Sequence, residues 1–262
     1  MIFEVFSMLE TTAARWARLD ACTEHFGPAD TTPRPAMLLF HGCGGIRPHI
    51  YTYAKAAAET GIRVFVVDSL KVRGWGRMQG VTLVCTGAAL QGYERSGDVL
   101  AALWGVSQRP DVIGDLIMLA GFSHGGWSIM DLMTQTLSKR GEARLADPDA
   151  ELIKRVKGIF MVYPYINFPA RSVKHPWLYS IPTTVVLAMR DHLTPYKRSV
   201  EVFERLSEQG VPMHTLSLDA SHAFDEKDNK GAVMDFNADA MRQSMEAMTA
   251  FIEEVLVSPV VA

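Results

Sequence analysis

The chain has 262 residues, of which 48% are hydrophobic and 21% charged, and its formal net charge is −3. This length suits one large α/β domain, or two small ones, with a full hydrophobic core. The small net charge gives no reason to expect a nucleic acid or an anionic membrane surface as partner. No segment approaches the roughly 18 uninterrupted apolar residues that a membrane span needs.

The N-terminal stretch and the cysteines both favour the cytoplasm. The start "MIFEVFSMLETTAARWARLD" lacks the basic residues, the long apolar run and the cleavage site of a secretory signal. Cys22, Cys43 and Cys85 show no C-x-x-C spacing, so we expect neither a disulfide framework nor a structural zinc site, but a reducing compartment. No repeat or long polar linker divides the chain, which predicts a single domain over residues 1–262.

The first third of the chain is predicted to hold two buried strands. Residues 1–34 are of uncertain structure, with a possible edge strand at "FEVFSML" and a helical turn at "TTAARWARL". Strands are predicted at 36–42 ("AMLLFHG") and 62–69 ("IRVFVVDS"), with a helix over 47–61 between them. The irregular stretch 70–91 is long enough to rim a substrate pocket, the alternative being a solvated connector.

Strands and helices continue to alternate down the chain. A helix carries Leu100, Leu103 and Trp104 at helical spacing, and a C-terminal helix presents a methionine-rich face. Further strands are predicted at 116–123, 156–164, 183–190 and 213–219. This alternation predicts an α/β fold with a mostly parallel, twisted sheet and helices on both faces. Functional groups are expected at the carboxyl ends of its strands.

The stretch "GFSHGG" (121–126) lies where a predicted strand meets a helix. A tight turn there leaves no room for side chains at the flanking positions, which explains Gly121 and Gly125. It would also lift the Ser123 hydroxyl out of the sheet. Backbone N–H groups at the helix N-terminus, including that of His124, can stabilise a developing oxyanion. The pattern favours a nucleophile elbow, and the alternative is a glycine-rich turn without chemistry.

A serine nucleophile needs a base to take its proton and an acid to orient that base. Asp191 follows the strand "TTVVLAMR", and His222 follows "MHTLSLD" in the loop "ASHAFDE". The alternatives are a helix N-cap for Asp191 and a surface-loop histidine for His222. The order Ser123, Asp191, His222 is that of the α/β-hydrolases, and it favours a catalytic triad.

The loop "FHGCGG" (40–45) follows the first predicted buried strand. Its glycines let the backbone approach a ligand closely, and the N–H of Cys43 can serve as a second oxyanion donor. Two alternatives are a plain strand–helix turn and a nucleophilic thiol at Cys43, for which no activating partner is recognisable.

These pieces together resemble the dienelactone hydrolase family of the α/β-hydrolase superfamily. The matching stretches run in order from about residue 35 to 255: "HGCGG", "VVDSLKVRG", "GFSHGG", "RDHLTP" and "SHAFDE". The resemblance implies that Ser123 is the nucleophile, Asp191 the acid and His222 the base. It also implies that Cys43 and His124 provide the amides of the oxyanion hole.

Two departures from the family pattern bear on the substrate. The enzymes that name the family have a cysteine nucleophile at the position of Ser123, and an acidic partner for that thiol where we align Gly42. A serine activated by histidine forms no thiolate, so it does not need the acidic partner, and the two differences belong together. The chain therefore resembles a general serine esterase of the family more than an enzyme for dienelactone.

Beyond the triad, the sequence indicates pocket walls and one structural pair. Trp75, Trp127 and Trp177 are candidate substrate contacts, the first in the 70–91 stretch and the last in the possible rim segment 167–180. Arg95 and Asp98 are close enough on their helix to pair locally, which favours a structural role.

The predicted function is hydrolysis of a small-molecule carboxylic ester or lactone through an acyl-enzyme. We expect no cofactor, no metal, no nucleic acid and no membrane partner, and a monomer or homodimer. Two alternatives stay open: a peptidase or acyltransferase on the same triad, and a non-catalytic hydrolase-fold protein that binds a ligand.

Overall fold

A seven-stranded sheet forms the centre of the computed structural model, which describes residues 9–231 and 233–258. The strands are β1 (Thr23–Phe26), β2 (Arg34–Phe40), β3 (Arg63–Val67), β4 (Val112–Phe122), β5 (Val156–Val162), β6 (Thr183–Ala188) and β7 (Met213–Leu218). Their order across the sheet is β1-β3-β2-β4-β5-β6-β7. All neighbouring strands from β3 to β7 pair in parallel, whereas β1 pairs antiparallel with β3 at the edge.

The helices connect these strands. They are α1 (Thr12–Asp20), α2 (Pro48–Glu59), the single turn α3 (Arg77–Gln79), α4 (Gly92–Ser107), α5 (His124–Met133), α6 (Tyr196–Glu208) and α7 (Ala238–Ile252). Shorter 3-10 turns cover Lys71–Arg73, Glu142–Arg144, Ala150–Arg155 and Arg171–Val173, and π-helical turns cover Gly80–Val84 and Glu253–Val257. Within the described ranges, every helix is too short or too polar to cross a membrane.

Hydrophobic cores cover both faces of the sheet. Successive residues of β2 point to opposite faces, with Leu38 and Phe40 in one core and Met37 and Leu39 in the other. Helices α1, α4, α5 and α6 pack on the first face, and α2 and α7 pack on the second. Because both faces are buried, the central strands are mostly apolar. The predicted α/β architecture with helices on both faces is confirmed.

The N-terminal region differs from its prediction in two ways. The expected helical turn is the nine-residue helix α1, whose N-cap Thr11 accepts a hydrogen bond from the N–H of Ala14. The edge strand of the described sheet is β1, which was not predicted, and the possible strand "FEVFSML" lies outside the described residues except for Leu9. Strand β1 has only four residues, and most of them are polar. Its sequence therefore shows no hydrophobic alternation from which a strand could be predicted.

The stretch 70–91 was expected to be irregular, but it contains three consecutive short helical turns. Leu70, Val84 and Leu90 bury their side chains in a small separate hydrophobic cluster that anchors this segment. The turns are too short to produce a helical period in the sequence, which explains why it read as a loop.

Cys43 and Cys85 form a disulfide with their Cα atoms 5.1 Å apart, contrary to the expectation that the cysteines form no disulfide framework. Cys43 lies in the loop after β2, and Cys85 follows the π-helical turn Gly80–Val84. The two are 42 positions apart in sequence and meet only in the folded chain, so a search for short C-x-x-C spacing could not find them. The predicted cytoplasmic location loses the support of the cysteine pattern, and a thiol nucleophile at Cys43 is excluded.

Candidate active site

Ser123 occupies a strained turn between β4 and α5. Its backbone has φ 47° and ψ −111°, a conformation that non-glycine residues rarely adopt. The flanking glycines are required by close packing: a Cβ atom on Gly125 would lie 2.1 Å from the carbonyl oxygen of Phe40, and one on Gly121 would lie 2.6 Å from the amide nitrogen of Gly126. This geometry matches the strand–turn–helix context of a nucleophile elbow.

The three predicted triad residues are within hydrogen-bonding distance of one another. His222 Nε2 lies 3.0 Å from Ser123 Oγ, and His222 Nδ1 lies 2.7 Å from Asp191 Oδ2. They reach this point from the carboxyl ends of β4, β6 and β7. Asp191 and His222 are buried, which strengthens the charge interaction between them.

Asp191 is fixed by its own turn as well as by His222. Its Oδ1 accepts hydrogen bonds from the N–H groups of Leu193 and Thr194, and its Oδ2 accepts one from the Thr194 hydroxyl. Burial alone would raise the pKa of Asp191, but its bonds to His222 and Thr194 outweigh that effect and lower the pKa below its ordinary value. Asp191 does not cap α6, whose N-cap residue is Pro195.

Tyr163, held by Asp225, packs against His222, and neither of these two residues was predicted as part of the site. The ring of Tyr163 packs against that of His222 with centroids 4.7 Å apart, and its hydroxyl donates to the buried Asp225 carboxylate. Burial, reinforced by the charge of Asp225, raises the pKa of Tyr163 well above its ordinary value, so the hydroxyl keeps its proton. Tyr163 directly follows β5, a strand-end position that was a detectable signal.

The loop after β2 passes beside the nucleophile. A Cβ atom on Gly42 would lie 3.5 Å from the Cβ of Ser123. Within residues 9–231 and 233–258, the amides of Cys43 and His124 donate to no backbone carbonyl. His124 is the first residue of α5, where the helix dipole favours negative charge. Both predicted oxyanion donors therefore have a free N–H near the serine.

Two cavities meet at Ser123, and both are also lined by Cys43, Cys85 and Leu193. The larger has a volume of about 320 Å³, and its wall includes charged and polar side chains: Arg47, Arg77, Glu226 and Asn229. The smaller has a volume of about 80 Å³, and its wall includes Val84, Trp127, Tyr165, Phe168 and Pro169. Both walls are mostly apolar, so the two cavities differ in volume and in the charged side chains at the wall of the larger one.

The family model described as the dienelactone hydrolase family matches residues 22–256. The chain belongs to this family. The match spans all seven strands, the elbow and the loops that carry Asp191 and His222. No curated protein matches the chain by sequence.

Solved structures share the fold of this dienelactone hydrolase family member. One is a dienelactone hydrolase-like promiscuous phosphotriesterase from metagenomic libraries, with 18% identity and a TM-score of 0.62 over 89% of this chain and 92% of that one. Another is a thermophilic esterase from the planctomycete Thermogutta terrifontis, with 16% identity and a TM-score of 0.64 over 89% of this chain and 87% of that one. At these identities the likeness establishes the α/β-hydrolase fold.

The three tryptophans predicted as substrate contacts have different positions. Trp127 lines the smaller cavity and donates from Nε1 to Asp131. Trp75 packs against the cluster formed by the 70–91 segment, and Trp177 is 7% exposed within the main core, so neither lines a cavity at Ser123. The walls of these two cavities give no support to Trp75 or Trp177 as substrate contacts, which stay predictions, since an aromatic residue in an irregular segment does not reveal which way it faces.

Both predicted rim segments contribute residues to the walls of these two cavities, including Arg77, which was expected at the rim. From 70–91 the cavity walls receive Arg77, Val81 and Cys85, and from 167–180 they receive Phe168 and Pro169. In the part of the chain that the structure describes, no group of three or more His, Cys, Asp or Glu side chains is arranged to hold a metal ion.

The predicted pair of Arg95 and Asp98 does not form. Asp98 instead binds Arg15 at 2.8 Å and Arg73 at 2.7 Å, which bring cations from α1 and from the turn after β3. Burial would raise the pKa of Asp98, but these two cations lower it below its ordinary value. Arg95 points elsewhere, toward His41 and His124.

Proposed function

We propose that this protein is a serine hydrolase that cleaves a small-molecule carboxylic ester or lactone. The observation that carries the proposal is the hydrogen-bonded chain from Ser123 Oγ through His222 to the buried Asp191 carboxylate. It is supported by the strained elbow at Ser123 and by two free amides beside it. A ligand-binding module would need none of these three features.

The mechanism follows from the positions of these groups. Ser123 Oγ attacks the carbonyl carbon while His222 Nε2 takes its proton, and Asp191 holds the imidazole in the tautomer with the proton on Nδ1. The amides of Cys43 and His124 donate to the oxygen of the tetrahedral intermediate. His222 then gives its proton to the leaving alkoxide, and the acyl group remains on Ser123.

Water completes the cycle. His222 removes a proton from the water as it attacks the acyl-enzyme, a second tetrahedral intermediate uses the same two amides, and Ser123 leaves with the proton from His222. For a lactone the alcohol stays attached to the acyl group, so the product is a single hydroxy acid. Serine rather than cysteine at the elbow favours a general ester over the substrate that names the family.

The structural neighbours are consistent with this chemistry. The Thermogutta esterase has been solved phosphorylated by paraoxon, and the metagenomic relative is named a phosphotriesterase. We extend this to the present chain as a proposal: an organophosphate should react with Ser123 and stop ester hydrolysis.

A fluorophosphonate probe and an ester panel test the proposal together. We expect the wild-type protein to be labelled at Ser123 and to hydrolyse p-nitrophenyl esters, and Ser123→Ala to lose both properties while keeping its fold. Ser138→Ala, at an exposed position away from the site, is the matched control and should behave as wild type. Turnover by Ser123→Ala at the wild-type rate would refute the assignment. Amide substrates and alcohol acceptors in the same panel distinguish a peptidase or an acyltransferase.

A further inference from the structure

Arg95 is a fully buried cation behind the oxyanion loop. It lies in the first turn of α4 with an exposed fraction of 0%, and it is among the largest completely buried side chains. Its Nη1 donates to the carbonyl oxygen of His41 at 2.8 Å and to His124 Nδ1 at 3.2 Å. One nitrogen therefore bridges the loop after β2 and the first residue of α5.

These two contacts fall on the two segments that carry the proposed oxyanion donors. The His41 carbonyl lies two residues before Cys43, and the imidazole of His124 belongs to the residue whose own N–H is the other donor. Moving either segment by a fraction of an ångström would take an amide away from the position of the oxyanion, because donor geometry decides its effect.

The protonation states of Arg95 and His124 fix which group donates in the hydrogen bond between them. A guanidinium only donates, so His124 Nδ1 must accept and its ring must be neutral. Burial, with the nearby charge of Arg95, lowers the pKa of His124 well below its ordinary value and lowers that of His41 as well. Burial lowers the pKa of Arg95 to about 10, so the guanidinium remains charged at neutral pH.

Few contacts offset the burial of this charge, although the nearby carboxylate of Asp98 attracts it. Asp98, one turn along the helix, is committed to Arg15 and Arg73, and within the described residues Nε and Nη2 of Arg95 have no hydrogen-bond partner. A buried ion with unsatisfied donors contributes little net stability, and apolar residues often replace such groups at no loss. The two hydrogen bonds of Nη1, to His41 and His124, are the interactions that an arginine at this position provides.

We propose that Arg95 is a positioning residue that holds the amides of Cys43 and His124 in the geometry of the oxyanion hole. The inference rests on the proposed function, since it assigns a role within that reaction. Arg95 does not touch the substrate, and it acts only through the two segments that it joins. Its loss should therefore weaken binding of the tetrahedral intermediate and leave binding of the ground-state ester nearly unchanged.

The test compares Arg95→Met, Arg95→Lys and Arg15→Gln in the full chain. The methionine has similar length but no donor, the lysine keeps the charge but loses the planar fork, and Arg15→Gln disturbs the ion pairs of Asp98 without touching His41 or His124. Each variant is assayed with p-nitrophenyl acetate for kcat and KM. Each is also assayed for inhibition by an alkyl trifluoromethyl ketone, which forms a tetrahedral adduct with a serine nucleophile.

For Arg95→Met we expect kcat to fall on the order of 100-fold, with KM changed by less than about threefold, as for loss of an oxyanion donor. The inhibition constant of the ketone should rise by a similar factor. Arg95→Lys should show a smaller loss in the same direction, and Arg15→Gln should stay within about twofold of wild type in kcat even if its melting temperature falls.

A folded Arg95→Met protein with wild-type kcat, or one whose ketone affinity is unchanged while kcat falls, would overturn the inference. If Arg95→Met does not fold, Arg95→Lys decides: wild-type kcat and ketone affinity in that variant overturn the inference, and a parallel loss in both supports it. Failure of the proposed function looks different, because the wild-type protein would then neither hydrolyse esters nor bind the ketone. In that case both proposals fall together.

Discussion

Cys43 and Cys85 are joined by a disulfide, and both residues line the two cavities that meet at Ser123. The bond links the loop that carries one proposed oxyanion donor to the 70–91 segment, which is also anchored by a small cluster of three buried residues and by the ion pair of Arg73 with Asp98. The cavity walls on that side of the serine are therefore held by a covalent bond as well as by packing.

Removing this disulfide should affect both stability and turnover. The bond closes a span of 42 positions, for which chain entropy predicts a loss of about 3–4 kcal/mol in the free energy of unfolding of Cys85→Ser. We expect a lower kcat as well, because the Cys43 amide loses its tether. Urea unfolding and ester kinetics measure the two effects, with Cys22→Ser as the control, since Cys22 is a free cysteine. Wild-type stability and kcat in Cys85→Ser would contradict this prediction.

Asp191→Asn should lower kcat by about 10³- to 10⁴-fold, because an amide cannot stabilise the imidazolium or hold the correct tautomer of His222. The fold should persist, since an asparagine oxygen can still accept from the N–H groups of Leu193 and Thr194. Steady-state kinetics on one ester give the answer. Asp219→Asn, an exposed carboxylate paired with Arg190, is the control. A loss of less than about tenfold would mean that Asp191 is not the triad acid.

The titration of Asp131 should make the free energy of unfolding depend on pH. Burial raises the pKa of Asp131 from 3.8 to about 7, even though the Trp127 and Arg171 N–H groups donate to its carboxylate. Between about pH 4 and pH 7 the folded protein thus holds a proton that the unfolded chain has released. This contribution to stability is complete below about pH 4, is lost as the pH rises toward 7, and is constant above that.

The matching experiment compares urea unfolding of wild type and Asp131→Asn across this range. The free energy of unfolding of wild type minus that of the variant should decrease with pH by at most about 1.4 kcal/mol per unit, and then level off near pH 7. Taking the difference cancels the contributions of groups that titrate equally in both proteins, including Asp98 and Asp191, whose lowered pKa values act in the opposite direction. Parallel curves at all pH values would show that Asp131 does not titrate in this way.

Phe168→Ala should broaden the range of esters accepted. Phe168 lines the smaller cavity yet is 83% exposed, so its ring can be removed with little effect on the core. We expect the ratio of kcat/KM for hexanoyl over acetyl p-nitrophenyl esters to rise by up to about tenfold, as the wall of the cavity opens. Leu178→Ala is the control, because Leu178 is exposed on the same segment but lines neither cavity. An equal ratio in both variants would place the acyl group elsewhere.

The positions of the proposed triad could be predicted because the ends of buried strands are recognisable in the sequence. Ser123, Asp191 and His222 each follow an apolar run, and parallel strands bring their carboxyl ends to one edge of the sheet. The disulfide, the bond from Arg95 to His41 and the orientation of Trp177 depend on contacts between segments far apart in sequence. Periodicity within a window has no access to such contacts. The local pairing expected of Arg95 and Asp98 is absent for the same reason, because Asp98 binds Arg15 and Arg73, which are further away in sequence.

Part of the cavity wall comes from segments that carry none of the proposed reacting groups. The predicted triad residues follow β4, β6 and β7, whereas 70–91 and 167–180, which supply no strand to the sheet, contribute one side of the larger cavity and about half of the smaller one. We therefore expect substrate range and reactivity to be partly separable in this molecule. A chimera carrying those two segments from another family member, with its own partner for Cys43, would be expected to change which esters it takes while still reacting with a fluorophosphonate at Ser123.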